Sequence, residues 1–488
     1  MPPPATGRRS LDPRTPVLVG VGTASADEEG TELMARALEA AVADAGVRSM
    51  LSAVDRIAVP QGTWSYSDPA RMVAERVGAR HARTHLTELG IPQQVLVNQA
   101  LAAVAAGESE VAVVVGGEAR RWARRPGATE TAQPGARPDV THRRRGPLLE
   151  PVEVANRLWE PVQQYAMIDN ALRHAEGKSL AAHRAEIADL WSRFNQVATT
   201  YPGAAFPARM GPREIDTPSP ANRPLAFPYN KWHATQWTVD QAAALVFCSA
   251  GAAGRLGIPA ERWVHPLVGL HSSHAVSLLR RRNPHAWPAM GILGTAAAGR
   301  IGVPLAGADL LEVYSCFPAA VRVQQRALSL EAESTPTITG GMAFAGGPFN
   351  NFVLQATAAV AAAVRARPGD IGVVTTVSGL LTKPGVGVWS GRPDGRPPLL
   401  ADLAGAARSR TEVVDLVETL EAYRGRATVV TYTVTFDGLE PVRTVALCAT
   451  EDGRRCVALS DDRDLAGRAV TEELIGCPVL VDQGVLGV

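Results

Sequence analysis

The 488-residue sequence predicts an α/β fold built from one half-domain used twice, interrupted by a long insertion and followed by a small antiparallel barrel. Three observations predict it. Gln99-Ala100-Leu101-Ala102-Ala103-Val104-Ala105-Ala106 recurs as Gln355-Ala356-Thr357-Ala358-Ala359-Val360-Ala361-Ala362, identical at seven of eight positions. Gly90-Ile91-Pro92 and Gly346-Gly347-Pro348 precede the two copies at the same offset, and apolar runs at 111–117 and 371–379 follow them. Each copy therefore reads as a Gly loop, a Pro in the first helical turn, an apolar helix, a short turn and a buried strand. Third, the region after residue 400 alternates apolar and polar residues in short runs punctuated by Asp437-Gly438 and Asp452-Gly453, the pattern of hairpins.

The elements follow in order. Residues 1–14 read as a disordered lead-in. A strand at 17–22, a helix at 31–45, a strand at 55–60 and a helix at 69–78 lead into the first repeat copy. This alternation predicts a largely parallel sheet covered by helices. The N-terminal half is thus expected at 15–118 and 239–261. Residues 119–238, rich in clustered Arg, Trp and Pro, read as an inserted loop domain with helices near 160–174 and 179–199. The second half is expected at 262–399, and the barrel at 400–488. Within the barrel, an amphipathic helix through Val413, Val414, Leu416, Val417 and Leu420 precedes strands at 429–434, 442–449, 455–459 and 479–481. The strand count resembles an OB-type domain.

Lys plus Arg (49) balances Asp plus Glu (48), which gives no global attraction for nucleic acid or an anionic membrane. Five cysteines without paired spacing point to a reducing compartment and no metal site. The opening residues hold no apolar leader, and no apolar run reaches about 18 residues, so a cytoplasmic protein is expected.

A Gly-rich turn entering a helix leaves N–H groups aimed outward at the positive end of the helix dipole. Two such ends facing each other would suit a carbonyl oxygen, an anion or an acyl group. Gly340-Gly341-Met342-Ala343-Phe344-Ala345-Gly346-Gly347-Pro348 resembles the Gly-Gly-x-x-x-x-Gly-His-Pro loop of the thiolase superfamily. Val97-Asn98-Gln99, Gly116-Gly117-Glu118, Asp68-Pro69-Ala70-Arg71 and Val239-Asp240-Gln241-Ala242-Ala243-Ala244 fit the same family. The resemblance spans about residues 15–395, and is nearest to thiolase-like proteins related to acetyl-CoA acetyltransferases and sterol-carrier-protein thiolases.

This resemblance implies a duplicated five-layer fold and an acyl-CoA cleft whose backbone is supplied by Gly90, Gly346, Gly347, Ser378 and Gly379. Family members accept the acyl group on a Cys, activate it with a His and shuttle protons with a second Cys. These positions correspond to Gly90, Gly347 and Val377, so ordinary thiolase chemistry is not implied. No tightly bound cofactor is expected; a coenzyme A thioester is the implied ligand. The remaining reactive side chain is Tyr314 in Tyr314-Ser315-Cys316-Phe317, where thiolase-related aldolases look similar in having a Tyr and no Cys.

Three functions stay open: an acyl-CoA-binding protein of lipid metabolism, a retro-aldol carbon–carbon lyase using Tyr314, and an interaction subunit docking a partner through the barrel. A homodimer is also left open. Among other candidates, Gly20-Val21-Gly22 lacks the third glycine of a dinucleotide loop. His265, His271 and His274 lack acidic or Cys partners for a metal, and His233 reads as structural. The Arg clusters at 120–125 and 143–145 suit phosphate recognition or a solvated loop, Arg280-Arg281-Arg282 reads as surface charge, and Cys316 as a core thiol.

Overall fold

The computed structural model describes residues 11–147, 149–414 and 416–487, apart from the side chains of 412–414. Of the expected lead-in, residues 1–10 lie outside the described residues.

Two sheets and three helical layers form the body. The first sheet runs, in spatial order, Pro16–Ala24, Asp240–Ser249, Val111–Ala119, Val54–Pro60, Arg83–Thr87 and Val140–His142. The second runs Leu310–Glu312, Ile371–Ser378, Lys383–Ser390, His265–His271 and Leu399–Asp402, the last straddling the expected boundary at 399/400. Both sheets are mixed rather than largely parallel. Asp240–Ser249 pairs antiparallel with both its neighbours, and so does Lys383–Ser390. Connection lengths do not report strand direction, so the alternation pattern overestimated parallel pairing.

The repeat helices, Gln93–Ala106 and Phe352–Ala366, lie together between the sheets. That position explains their alanine-rich, nearly all-round apolar sequence. Gly30–Ala45 covers the outer face of the first sheet and Pro288–Ile301 that of the second, giving five layers. Gly20 and Gly22 belong to this packing: a Cβ on either would stand 2.2 Å from a carbonyl oxygen of the covering helix. The prolines of the repeat do not enter the first helical turn as expected. Pro92 is the residue before the first helix, and Pro348 precedes the Asn351 cap of the second by three residues.

The C-terminal barrel comprises Arg424–Asp437, Glu440–Thr450, Arg455–Ser460, Pro478–Asp482 and Val485–Gly487, with helix Arg463–Ala469 between the third and fourth strands. Its first strand pairs with both the second and the fourth, closing the sheet on itself. The preceding helix spans Ala404–Val414, earlier than expected. Leu416 instead forms an isolated β-bridge with Arg281, so the expected helix does not run on through 416–420.

The insertion contributes helices Pro161–Ala175 and Leu180–Ala198 and two short strands, Pro224–Ala226 and Tyr229–Asn230, which extend the barrel sheet. Asn170 Nδ2 donates to the carbonyls of Phe227 and Tyr432, and Thr431 Oγ1 to that of Met167. Phe227 belongs to the barrel's own apolar core. Insertion and barrel therefore share one interior.

Candidate functional site

The first repeat helix starts behind Gly90, whose φ of 92° lies in the left-handed region. The Gly90 carbonyl accepts a hydrogen bond from Lys383 Nζ. Gln93, in the first turn, reaches the other repeat: its Oε1 accepts from Val353 N at 2.9 Å, and its Nε2 donates to Asn350 Oδ1 at 3.3 Å. Asn350 Nδ2 returns to the Gln61 carbonyl at 2.9 Å. The two helix starts are thus joined by one amide side chain that satisfies an orphan N–H of its neighbour.

The second loop is filled. A Cβ at Gly347 would lie 1.9 Å from Thr235 Oγ1 and 3.2 Å from Met342 Cβ, and one at Gly346 would lie 2.3 Å from Gln241 Oε1. A cavity of about 190 Å³ lies alongside, lined in part by Tyr201, Gln241, Thr339 and Phe352.

The third loop is the turn after Val377, whose side chain faces the core at 6% exposure. Gly379, Leu380 and Leu381 have φ of 62°, 59° and 58° in succession. Leucine in that region carries backbone strain, and the surroundings hold it. Arg281 donates to the Leu380 carbonyl at 2.5 Å, Trp287 Nε1 to that of Thr382 at 3.3 Å, and Thr382 Oγ1 to that of Gly379 at 2.8 Å. Arg281 is accordingly buried, which corrects its reading as surface charge; burial brings its pKa down to about 10. Lys383 opens the strand after this turn, opposite Ser378. Burial first, and then the Arg144 guanidinium, lower its pKa.

Tyr314 sits at the start of the second repeat helix, edge-on to Phe352 with ring centroids 6.2 Å apart. Its N–H donates to Thr375 Oγ1 at 2.8 Å, and its carbonyl accepts from Gln324. The phenol donates to no described residue, and burial pushes its pKa well above the usual 10, so it keeps its proton. Its neighbours brace the second loop. Ser315 Oγ accepts from Met342 N, and the buried Glu312 carboxyl accepts from Thr337 Oγ1 and from the N–H groups of Ile338 and Thr339. Burial raises Glu312 to about 7 and the Cys316 thiol to about 12, which leaves that thiol unreactive at neutral pH.

Gly90, Ser378 and Gly379 therefore converge on Lys383, while Tyr314, Gly346 and Gly347 surround the second loop and the helix that follows it. Gln93 connects the two groups. The histidine candidates resolve as structural. His233 is fully buried and accepts from Asn230 N through Nδ1. His271 contacts Asn98 at 3.0 Å and Asp402 at 3.7 Å, and the described residues hold no cluster of three metal-ligating side chains. Arg120 lies over the Trp237 ring at 3.4 Å, and Arg143 and Arg144 stand 3.7 and 4.0 Å from Glu88.

Sequence reasoning missed Lys383 and Gln93. A signal for Lys383 was present: it is one of only three lysines, beside 46 arginines. A lysine retained in so Arg-biased a chain marks a place where a compact ammonium is preferred to a planar fork.

Two mixed sheets around paired repeat helices, with Gly loops meeting at the helix starts, match solved structures. The chain aligns with a monomeric SCP2-thiolase-like protein type 1 from Mycobacterium smegmatis at a TM-score of 0.83 and 28% identity, over 97% of this chain and 98% of that one. The chain belongs to the thiolase superfamily. This thiolase-like chain is also similar in fold to an Ltp2–ChsH2(DUF35) aldolase, at a TM-score of 0.58 and 19% identity over 78% of this chain and 99% of that one. Human mitochondrial 3-ketoacyl-CoA thiolase, solved in complex with CoA, aligns at 0.55 and 18% identity over 78% and 98%. No protein-family model and no curated protein sequence matches the chain. No helix among the described residues is long and apolar enough to cross a membrane.

Proposed function

We propose that this thiolase-like chain binds a coenzyme A thioester and does not carry out ordinary thiolysis. One observation carries the reading. At Gly90, where the family resemblance puts the acyl-accepting thiol, the reactive side chain in contact among the described residues is Lys383. It donates to the Gly90 carbonyl, and an acyl group taken up on its nitrogen would be held as an amide, which does not pass back to a thiol as a thioester. The crowding of Gly347 by Thr235 and Met342 adds to this, because no side chain there can act as the activating base. Within the exposed Arg cluster at 143–145, Arg143 and Arg145 suit the CoA phosphates. The reading includes lipid metabolism as the setting, a cytoplasmic site, the half-domain, insertion and barrel boundaries given above, and an OB-type barrel. That last assignment is supported by the strand order first-second-third-fifth-fourth and by the helix between the third and fourth strands.

The test is direct. Purified chain, acetoacetyl-CoA and CoA are mixed, and loss of the enolate absorbance is followed while calorimetry records binding of the ester. Binding without thiolysis is expected; turnover at the rate of an ordinary thiolase would overturn the reading.

A retro-aldol reaction is the second reading, favoured by Tyr314. Its phenol retains its proton and donates to no described residue, so its role there is to donate. As the Cα–Cβ bond of a β-hydroxyacyl thioester breaks, the β-hydroxyl proton passes to solvent water and the aldehyde forms. The enolate takes the phenol proton at its α-carbon, and solvent reprotonates the phenolate. As a base it is unsuited, since burial moves its pKa the wrong way. Release of a shortened acyl-CoA and an aldehyde without added CoA, lost in Tyr314→Phe, is the expected signature. The barrel as a docking module is less favoured, because one side of it is already occupied by the insertion.

A further inference from the structure

Lys383 has a second property that thiolase chemistry does not use. Its side chain is nine-tenths buried, at 8% exposure, and no carboxylate among the described residues stands within ion-pairing distance. The one charge that perturbs it is that of Arg144, which repels it. Glu88, the nearest acid to Arg144, accepts from the Arg144 backbone N–H at 3.0 Å and stands 3.7 Å from the Arg143 guanidinium and 4.0 Å from that of Arg144. Of the three N–H bonds of the ammonium, the described residues use one, on the Gly90 carbonyl. A buried cation is ordinarily paired; this one has a cationic neighbour, spare donors and no counter-charge. Ser378, Gly379 and Leu380, which form the turn above it, are partly exposed, so the rim over the ammonium reaches solvent.

We infer that the missing counter-charge comes from the ligand: Lys383, with Arg144 at the rim, binds a carboxylate on the acyl end of the thioester, so the substrate class is a dicarboxylic acyl-CoA. The inference rests on the CoA-binding reading above and narrows it. A carboxylate is favoured over a CoA phosphate because Lys383 lies at Gly90, where the resemblance puts the reacting acyl group, not the nucleotide. The geometry suits it: a carboxylate accepts charge-assisted bonds from an ammonium and a guanidinium together. No bond is made or broken in this step.

The experiment titrates the full chain with succinyl-CoA and butyryl-CoA, which share every CoA phosphate and differ in the terminal carboxylate. The wild-type chain is expected to bind succinyl-CoA roughly tenfold or more tightly. Lys383→Met should abolish the difference and Lys383→Arg should keep part of it. Equal binding of the two esters by the wild-type chain would overturn the inference while leaving the CoA reading intact, and it needs no variant to fold. Weakening of both esters alike in Lys383→Met would assign the ammonium to a phosphate and also overturn it. If neither ester binds, the CoA reading itself falls.

Discussion

The two repeat copies meet the cleft with nearly the same glycine loop and finish it in opposite ways. At the second copy, neighbouring side chains occupy the space beside Gly346 and Gly347, and the loop is braced from beneath by Glu312 and Ser315. At the first copy, Gly90 is itself buried and its carbonyl is met by one buried lysine. Duplication thus supplies two helix ends of similar backbone, and the side chains delivered by distant strands finish the two ends differently.

The largest expected effect tests the closed end. Gly347→His must displace Thr235 or Met342, and overpacking of that degree should cost about 3 kcal/mol in urea unfolding. A stable variant that gains thiolase activity once a Cys is placed at Gly90 would mean the second loop is not closed at all.

The next effect concerns its support. Glu312 moves from an ordinary 4.5 to about 7 on folding, so its contribution is fully present below pH 4.5 and is lost as pH rises through 7. Relative to Glu312→Gln, the wild-type chain should lose about 2–3 kcal/mol between pH 4.5 and 8. Denaturation midpoints at several pH values measure this, and parallel curves for the two proteins would remove Glu312 from the account.

The smallest effect tests the Lys383 end with no ligand present. Burial lowers the Lys383 pKa below its ordinary 10.5, so the unfolded chain holds that proton more tightly and stability should rise with pH up to about 10.5. Lys383→Met should therefore be more stable than wild type at pH 7, with the gap closing toward pH 10.5. A gap that does not change with pH would mean the ammonium is paid for by a partner within the chain.

The duplication was legible because it is written in contiguous residues, and so were the insertion's two helices and four of the five barrel strands. The fifth, Val485–Gly487, is three residues long and carries too little alternation to register. Strand direction escaped notice because it depends on where the chain returns, not on local pattern. The site divided along the same line. Gly90, Gly346, Gly347 and Tyr314 stand in recognisable loops. Lys383 meets Gly90 across 293 residues, and Arg281 meets Leu380 across 99, so neither contact has a local trace. Arg281 misled outright, since a run of three arginines looks solvated even when its middle member is buried.

The strands at 224–230 that extend the barrel sheet impose an order of events on synthesis. The insertion is made before the barrel, yet most of the apolar residues that surround Phe227 lie among residues 427–486. At roughly 5–20 residues per second, those partners arrive about ten seconds or more later. During that interval an apolar, strand-forming segment waits uncovered, at the stage when a nascent chain is most exposed to mispairing. A segment translated later is therefore the one that shelters this strand.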